Sequence, residues 1–208
     1  VHGEAQRYAE KKHTIILIGH KDHVEVQGTV GEAPERIIVV GSVEEVASLK
    51  VEDENKIGYI TQTTLSMDDT SEIIDILKKR FPKIQGPAKD DICYATQNRQ
   101  NAVKALSKEV ELVLVVGAQN SSNSLRLLEV AKSTGVNARR IESAAELKVE
   151  WLEGVSDIGI TAGASAPEDI VQGIVNRIRE MSASSRILDL EIVKEDVTFA
   201  LPAVLRTF

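Results

Sequence analysis

Short unbroken apolar runs punctuate this chain, and between them lie stretches whose apolar positions recur every three or four residues. Thr14-Ile15-Ile16-Leu17-Ile18 is the first run, ending at Gly19; Arg36-Ile37-Ile38-Val39-Val40 and Ile57-Gly58-Tyr59-Ile60 follow. Runs of this length without polar alternation predict strands of a parallel sheet, because helices cover both of its faces. The intervening stretches predict helices. Val1 to Lys12 reads as the body of a helix without a capping residue, Val24 to Val30 as a short helix, and Ser42-Val43-Glu44-Glu45 as a capping box. After Thr61-Gln62-Thr63-Thr64-Leu65-Ser66, a helix to about Phe81 buries Ile73, Ile74, Leu77 and Phe81, with Asp68 and Asp69 favourably placed in its first turn.

The second half repeats this order. A helix carries Ala102, Val103 and Leu106, and Leu112-Val113-Leu114-Val115-Val116 is a strand ending at Gly117. The loop Ala118 to Ser124 leads to a helix with Leu127, Leu128 and Ala131. Arg139-Arg140-Ile141 predicts a strand, Ser143 to Trp151 a short helix, and Ile158-Gly159-Ile160 a last strand. The loop Thr161-Ala162-Gly163-Ala164-Ser165-Ala166-Pro167 then opens a helix through Ile178. Gly19 matches Gly117, and Ile60-Thr61 matches Ile160-Thr161, about a hundred residues apart, the mark of an internal duplication. The predicted fold class is therefore α/β: two similar small three-layer α/β domains with parallel sheets, over residues 1–89 and 90–181. Residues 182–208 form a linker, Ser182 to Ser185, and a C-terminal tail. The tail's Asp189 to Val193 and Asp196 to Phe199 alternate like strands without a partner in either repeat. With Val1 in first place, the chain reads as a piece of something longer, onto which that tail would pack.

Composition narrows the function. There are 25 Lys and Arg against 32 Asp and Glu, a net charge of −7, so no basic stripe exists to offset phosphate repulsion from nucleic acid or an anionic membrane. No apolar run approaches the ~20 residues of a membrane span, and no signal peptide is visible. A single cysteine, Cys93, excludes an internal disulfide and makes a reducing cytoplasm the simplest compartment. Aromatics are 3%, in keeping with helix-covered parallel sheets rich in Val, Ile and Leu.

In parallel α/β units ligands collect where strands feed helix N-termini. Ser121, Ser122, Asn123 and Ser165 stand at such points and could bind phosphate oxygens, or simply cap helices. His23 and Glu25 follow a buried strand, where an imidazole and a carboxylate can relay a proton, or face solvent as ordinary polar residues. His2 and His13 read as surface residues, and His20 as a residue that orients its loop. Cys93, in Asp90-Asp91-Ile92-Cys93-Tyr94-Ala95-Thr96, is by composition a small buried hydrophobe, but its place at the seam of two repeats that end in hydroxyl-rich loops weighs against that reading.

Taken with Ile18-Gly19-His20-Lys21-Asp22-His23-Val24-Glu25-Val26, the Thr61 to Ser66, Asp90 to Thr96, Gln119 to Ser124 and Thr161 to Pro167 segments resemble the 4-hydroxy-3-methylbut-2-enyl diphosphate reductase (IspH/LytB) family, as does the ending Glu195 to Pro202. The resemblance covers nearly the whole chain. It implies an iron–sulfur oxidoreductase of the non-mevalonate (MEP/DOXP) isoprenoid pathway, which dehydroxylates its substrate reductively to isopentenyl and dimethylallyl diphosphate. It implies a 4Fe-4S cluster with Cys93 as one ligand, and ferredoxin or flavodoxin as electron donor. It makes Glu25 the proton donor, has His23 contact the diphosphate, and has Thr63 hold the substrate hydroxyl and its water. Ser121, Ser122, Asn123 and Ser165 would bind the diphosphate. The family's first domain and its two further cysteines have no counterpart in these residues, and one thiolate cannot hold a four-iron cluster. By that resemblance the chain alone is expected to be inactive, with the cluster absent or incomplete. The alternative is a non-catalytic two-domain module that binds a phosphorylated small molecule.

Overall fold

Two three-stranded parallel sheets form the framework, each with its first strand in the centre. The structure is a computed structural model and describes residues 1–87, 91–182, 184–194 and 201. In the first sheet β1 (Thr14–Ile18) lies between β2 (Ile37–Val40) and β3 (Ile57–Thr61), with Ile16 opposite Ile38 and Tyr59. In the second, β4 (Leu112–Val116) lies between β5 (Asn137–Ile141) and β6 (Ile158–Ala162), with Leu114 opposite Arg139 and Ile160. Among the described residues seven helices cover them: α1 (His2–Glu10), α2 (Val24–Val30), α3 (Val43–Ser48), α4 (Met67–Arg80), α5 (Tyr94–Leu106), α6 (Ser122–Ser133) and α7 (Glu168–Met181). This is the α/β class that the apolar runs predict.

The central strands are apolar at every turn of the pleat because both of their faces are buried. Ile15 and Leu17 pack with Ala5 and Tyr8 of α1 and Val26 of α2. Ile16 and Ile18 face the opposite layer, where Val46 of α3 and Ile73 and Leu77 of α4 meet Phe81. The second sheet repeats the arrangement. Val113 and Val115 pack on Val103 of α5 and Leu127 of α6, while Leu112, Leu114 and Val116 pack on Ile174 of α7. Each such side chain contributes about 1.5–3 kcal/mol on burial. The duplication extends to the glycine in each third strand. A Cβ on Gly58 would lie 2.8 Å from the Tyr8 ring, and one on Gly159 would lie 2.7 Å from Leu106. In both units, then, a helix rests directly on bare strand backbone.

Four sequence expectations change. Ser143 to Trp151 forms two 3-10 turns, Ala144–Glu146 and Val149–Trp151, and β5 begins at Asn137, ahead of the Arg139 expected. Asp189 to Val193 is not a strand: among the described residues no strand pairs with it, and an isolated extended segment has no ladder to hold it. Asp196 to Phe199 lie outside the described residues. His13 is buried rather than superficial. The left-handed turn at Lys12 (φ 57°) tucks its ring 5.6 Å from that of Tyr8, with Nδ1 3.2 Å from the Lys11 carbonyl. His2 is exposed, 3.0 Å from Glu32.

The two units meet through polar side chains. Gln100 of α5 is fully buried; it accepts from the Met67 amide at 3.0 Å and donates to the Leu65 carbonyl at 2.7 Å. Nearby, Lys104 lies 2.6 Å from Asp68, and Arg126 of α6 reaches His20 at 3.1 Å and Asp69 at 3.6 Å. Gln100 closes two backbone groups that would otherwise be buried without partners, each costing about 1–3 kcal/mol.

Candidate functional site

The carboxyl ends of β1 and β3 feed two loops that converge on one carboxylate. Beyond Gly19 the chain turns into α2, whose first position follows His23; the His23 Nδ1 accepts the Glu25 amide at 3.3 Å, as a capping residue does. An accepting Nδ1 leaves the proton of a neutral ring on Nε2, which is 2.5 Å from Ser122 Oγ of the other unit. Beyond β3, Thr63 donates its amide to Glu25 Oε1 at 2.7 Å and its hydroxyl to Oε2 at 3.2 Å. Both carboxylate oxygens are thus held by one residue, and the half-buried Glu25 is fixed in orientation. Gln62, buried, accepts from the His20 amide at 3.1 Å and donates to Thr64 Oγ1 at 2.9 Å, tying the two loops together.

Cys93 sits directly behind Thr63. Its amide donates to the Thr63 carbonyl at 3.2 Å, its residue caps α5, and it is exposed. The reading of a small buried hydrophobe is therefore set aside. Two residues earlier, Asp91 accepts the Thr61 amide at 2.9 Å. Burial pushes the Asp91 carboxyl up to about 6, opposed by that hydrogen bond and reinforced by the negative charge of Glu4.

In the second unit, Ser121 caps α6: its hydroxyl oxygen accepts from the Ser124 amide at 3.3 Å and from the Ser124 hydroxyl at 3.0 Å. The helix-cap reading therefore holds for Ser121, while Ser122 turns outward to His23. Asn123 is buried, 8% exposed, yet neither its amide nitrogen nor its oxygen has a partner among the described residues. A buried amide left wholly unpaired calls for an occupant. Ser124 is wedged between two glycines: a Cβ on Gly117 or Gly163 would come within 2.0 or 2.2 Å of its hydroxyl oxygen. That close approach brings the β4 and β6 loops together over the start of α6. Ser165 is exposed, and among the described residues it makes no hydrogen bond to Ser122 or Asn123. It lines a cavity of about 150 Å³ with Gly117, Ala118, Glu142 and Pro167.

The structure thus gathers His23, Glu25, Thr63, Ser122 and the backbone of Cys93 in one continuous chain of contacts, with Asn123 next to Ser122. Gln62, Gln100 and Asp91 were missed by the sequence reading as residues that hold this site. Nothing in a lone polar residue beside an apolar run marks it as a tether. As to an iron–sulfur cluster, the donor set of this chain does not fit one by itself. Cys93 is its only thiol, and among the described residues no group of three or more His, Cys, Asp or Glu could hold a metal ion.

Two α/β units with an acid, an imidazole and an unpaired amide at the carboxyl ends of parallel strands define an α/β protein with a candidate site at those strand ends. The sequence matches the family described as LytB protein over residues 1–179. The chain belongs to that family. It is 51% identical over 206 residues to the 4-hydroxy-3-methylbut-2-enyl diphosphate reductase of Acidithiobacillus ferrooxidans, covering 99% of this chain and 65% of the relative. It is 48% identical over 208 residues to the reductase of the same name from Mycolicibacterium paratuberculosis, covering 100% and 62%. Among solved structures it is similar to the E-1-hydroxy-2-methyl-but-2-enyl-4-diphosphate reductase from Plasmodium falciparum, with a TM-score of 0.93, 36% identity, and coverage of 99% of this chain and 65% of that one. The chain spans somewhat over three fifths of the length of the curated relatives named here. Among the described residues no helix is long and apolar enough to cross a membrane.

Proposed function

We propose that a protein of the relatives' full length, with this chain as its two α/β units, is a 4-hydroxy-3-methylbut-2-enyl diphosphate reductase of isoprenoid synthesis by the non-mevalonate route. The observation that carries the reading is the Glu25 carboxylate held by both Thr63 donors beside the His23–Ser122 contact. The net reaction replaces an allylic hydroxyl by hydrogen, consuming two electrons and two protons and releasing water. The relatives of that name are diphosphate reductases, and the unpaired Asn123 amide beside Ser122 supplies neutral donors of the kind a diphosphate accepts.

In this reading Glu25 holds the proton that the leaving hydroxyl requires, on an oxygen oriented by Thr63. His23 donates from Nε2 to a diphosphate oxygen in place of Ser122 Oγ, which is freed to donate as well. Ser121 and Ser165 complete the diphosphate contacts. Held by both Thr63 donors, the Glu25 carboxyl can act without reorienting at the moment of reaction. A 4Fe-4S cluster, if the longer protein holds one, would supply the electrons, received from a ferredoxin or flavodoxin of the cytoplasm; Cys93 would be one of its ligands, and the other thiolates would have to come from outside these 208 residues. With the reading goes the division into units 1–89 and 90–181 and a tail 182–208.

The second reading, a module that binds a phosphorylated small molecule without catalysis, is favoured by the single thiol. The two are separated by expressing both the 208-residue chain and the protein of the relatives' length. Diphosphate binding is measured on each, with iron content, broad visible absorption and substrate-dependent oxidation of a reduced dye. Four irons and turnover in the longer protein alone support the reductase. Binding without iron or turnover in either would leave only the module.

A further inference from the structure

Arg99 stands on α5, beyond Cys93, and its guanidinium is used sparingly. Nη1 donates to the Ala162 carbonyl at 3.0 Å, at the end of β6, while Nε is buried with no hydrogen-bond partner. Among the described residues no carboxylate lies within ion-pair distance of it, whereas Arg7, Arg126, Arg140 and Arg177 each have one. A half-buried cation without a counter-ion is costly unless a negative charge arrives to meet it. Its neighbourhood indicates where that charge would sit. Ala162 is followed by Gly163, whose amide donates to the Val116 carbonyl at 2.9 Å. A Cβ on Gly163 would lie 3.6 Å from the unpaired Asn123 Nδ2. One residue of backbone therefore separates the carbonyl that Arg99 grips from the amide assigned to the diphosphate.

The ligand side of the site is short of positive charge. Ser121, Ser122, Asn123, Ser165 and Thr63 are neutral, and His23 accepts a hydrogen bond at Nδ1 as a neutral ring does. The chain as a whole carries −7. We propose that Arg99 is the cation that balances the diphosphate, acting through space and through the β6 loop it holds rather than by contact with the ligand. The proposal rests on the reading of Asn123 and its neighbours as the diphosphate site. A cation at a water-poor site is screened weakly and attracts a multiply charged anion over more than one bond length.

The test uses the protein of the relatives' full length and inorganic pyrophosphate as probe, titrated calorimetrically at low and high ionic strength. Arg99→Gln keeps a donor for Ala162 but no charge; Arg99→Lys keeps both, and Arg99→Met supplies a second neutral variant should Arg99→Gln fold poorly. Binding by the neutral variants is expected to weaken about tenfold at low salt, roughly 1.4 kcal/mol, and to depend less on salt than the parent, while Arg99→Lys retains most of the affinity. Neutral variants that bind as tightly as the parent, or a lysine variant that loses as much as glutamine, overturn the charge-balancing role. Asn123→Ala serves as the control. If it leaves pyrophosphate binding intact, or the parent does not bind pyrophosphate, the diphosphate reading fails and this inference with it. If Asn123→Ala weakens binding and Arg99→Gln does not, only the role of Arg99 is lost.

Discussion

Thr63 holds Glu25 by both of its donors: the amide to Oε1 at 2.7 Å and the hydroxyl to Oε2 at 3.2 Å. The two residues lie 38 apart in the chain, Glu25 in the first turn of α2 after β1 and Thr63 in the loop after the neighbouring strand β3, and the pairing fixes an acid at the carboxyl end of the sheet. Replacing Glu25 by Gln keeps an oxygen for the Thr63 amide and removes the transferable proton. In a protein of the relatives' length, turnover is expected to fall about 10²–10⁴-fold while pyrophosphate still binds. Parallel steady-state kinetics and titration decide; normal turnover by the glutamine variant would end the proton-donor assignment.

Gln100 is the buried tie between the units, and its removal is expected to be felt as stability. Gln100→Leu leaves the Leu65 carbonyl and the Met67 amide unpaired, at a loss of roughly 2–4 kcal/mol in urea unfolding. A loss under about 0.5 kcal/mol would mean that water replaces the glutamine at no cost.

Gly163 and Ser124 form a matched pair. Gly163→Ala places a Cβ 2.2 Å from the Ser124 hydroxyl oxygen but 3.4 Å from its Cβ. The single variant is expected to cost about 1–3 kcal/mol, and adding Ser124→Ala to recover most of that loss. Strict additivity in the double-mutant cycle would show that the crowding is relieved elsewhere.

Asp91 gives the fold a pH dependence. In the unfolded chain it ionises near 3.8, and in the folded chain burial raises this to about 6. Between those values the folded state holds a proton that the unfolded state has released. The stabilisation is therefore complete below about pH 4, declines as pH rises to about 6, and is lost above it. Solvent screening of a half-buried group limits the effect to about 1 kcal/mol. Asp91→Asn keeps an acceptor for the Thr61 amide and is expected to flatten this part of the profile in denaturant titrations of the 208-residue chain. An unchanged slope between pH 4 and 6 would show that Asp91 ionises as an ordinary carboxylate.

The sequence alone determined the class of fold. Runs such as Leu112 to Val116 are apolar at consecutive positions, and only a strand covered on both faces accommodates that; spacing about a hundred residues apart then revealed the duplication. It also pointed to the carboxyl ends of the strands as the candidate site, since chain leaving parallel strands carries free backbone groups; Thr63 lies there in a loop, and His23, Glu25, Ser122 and Asn123 lie at the starts of α2 and α6. Tertiary structure alone decided which of these residues touch. Hydrogen bonds between loops are set by the distance between strand ends and by the angle between the two units, neither of which leaves a periodic trace. So Ser121 and Ser122, adjacent in the chain, divide their roles: one caps α6, and the other crosses to His23. The same reason hid Gln100 and His13. A polar residue is buried only when particular backbone groups or rings from distant segments meet it, and the order of residues carries no signal of that meeting.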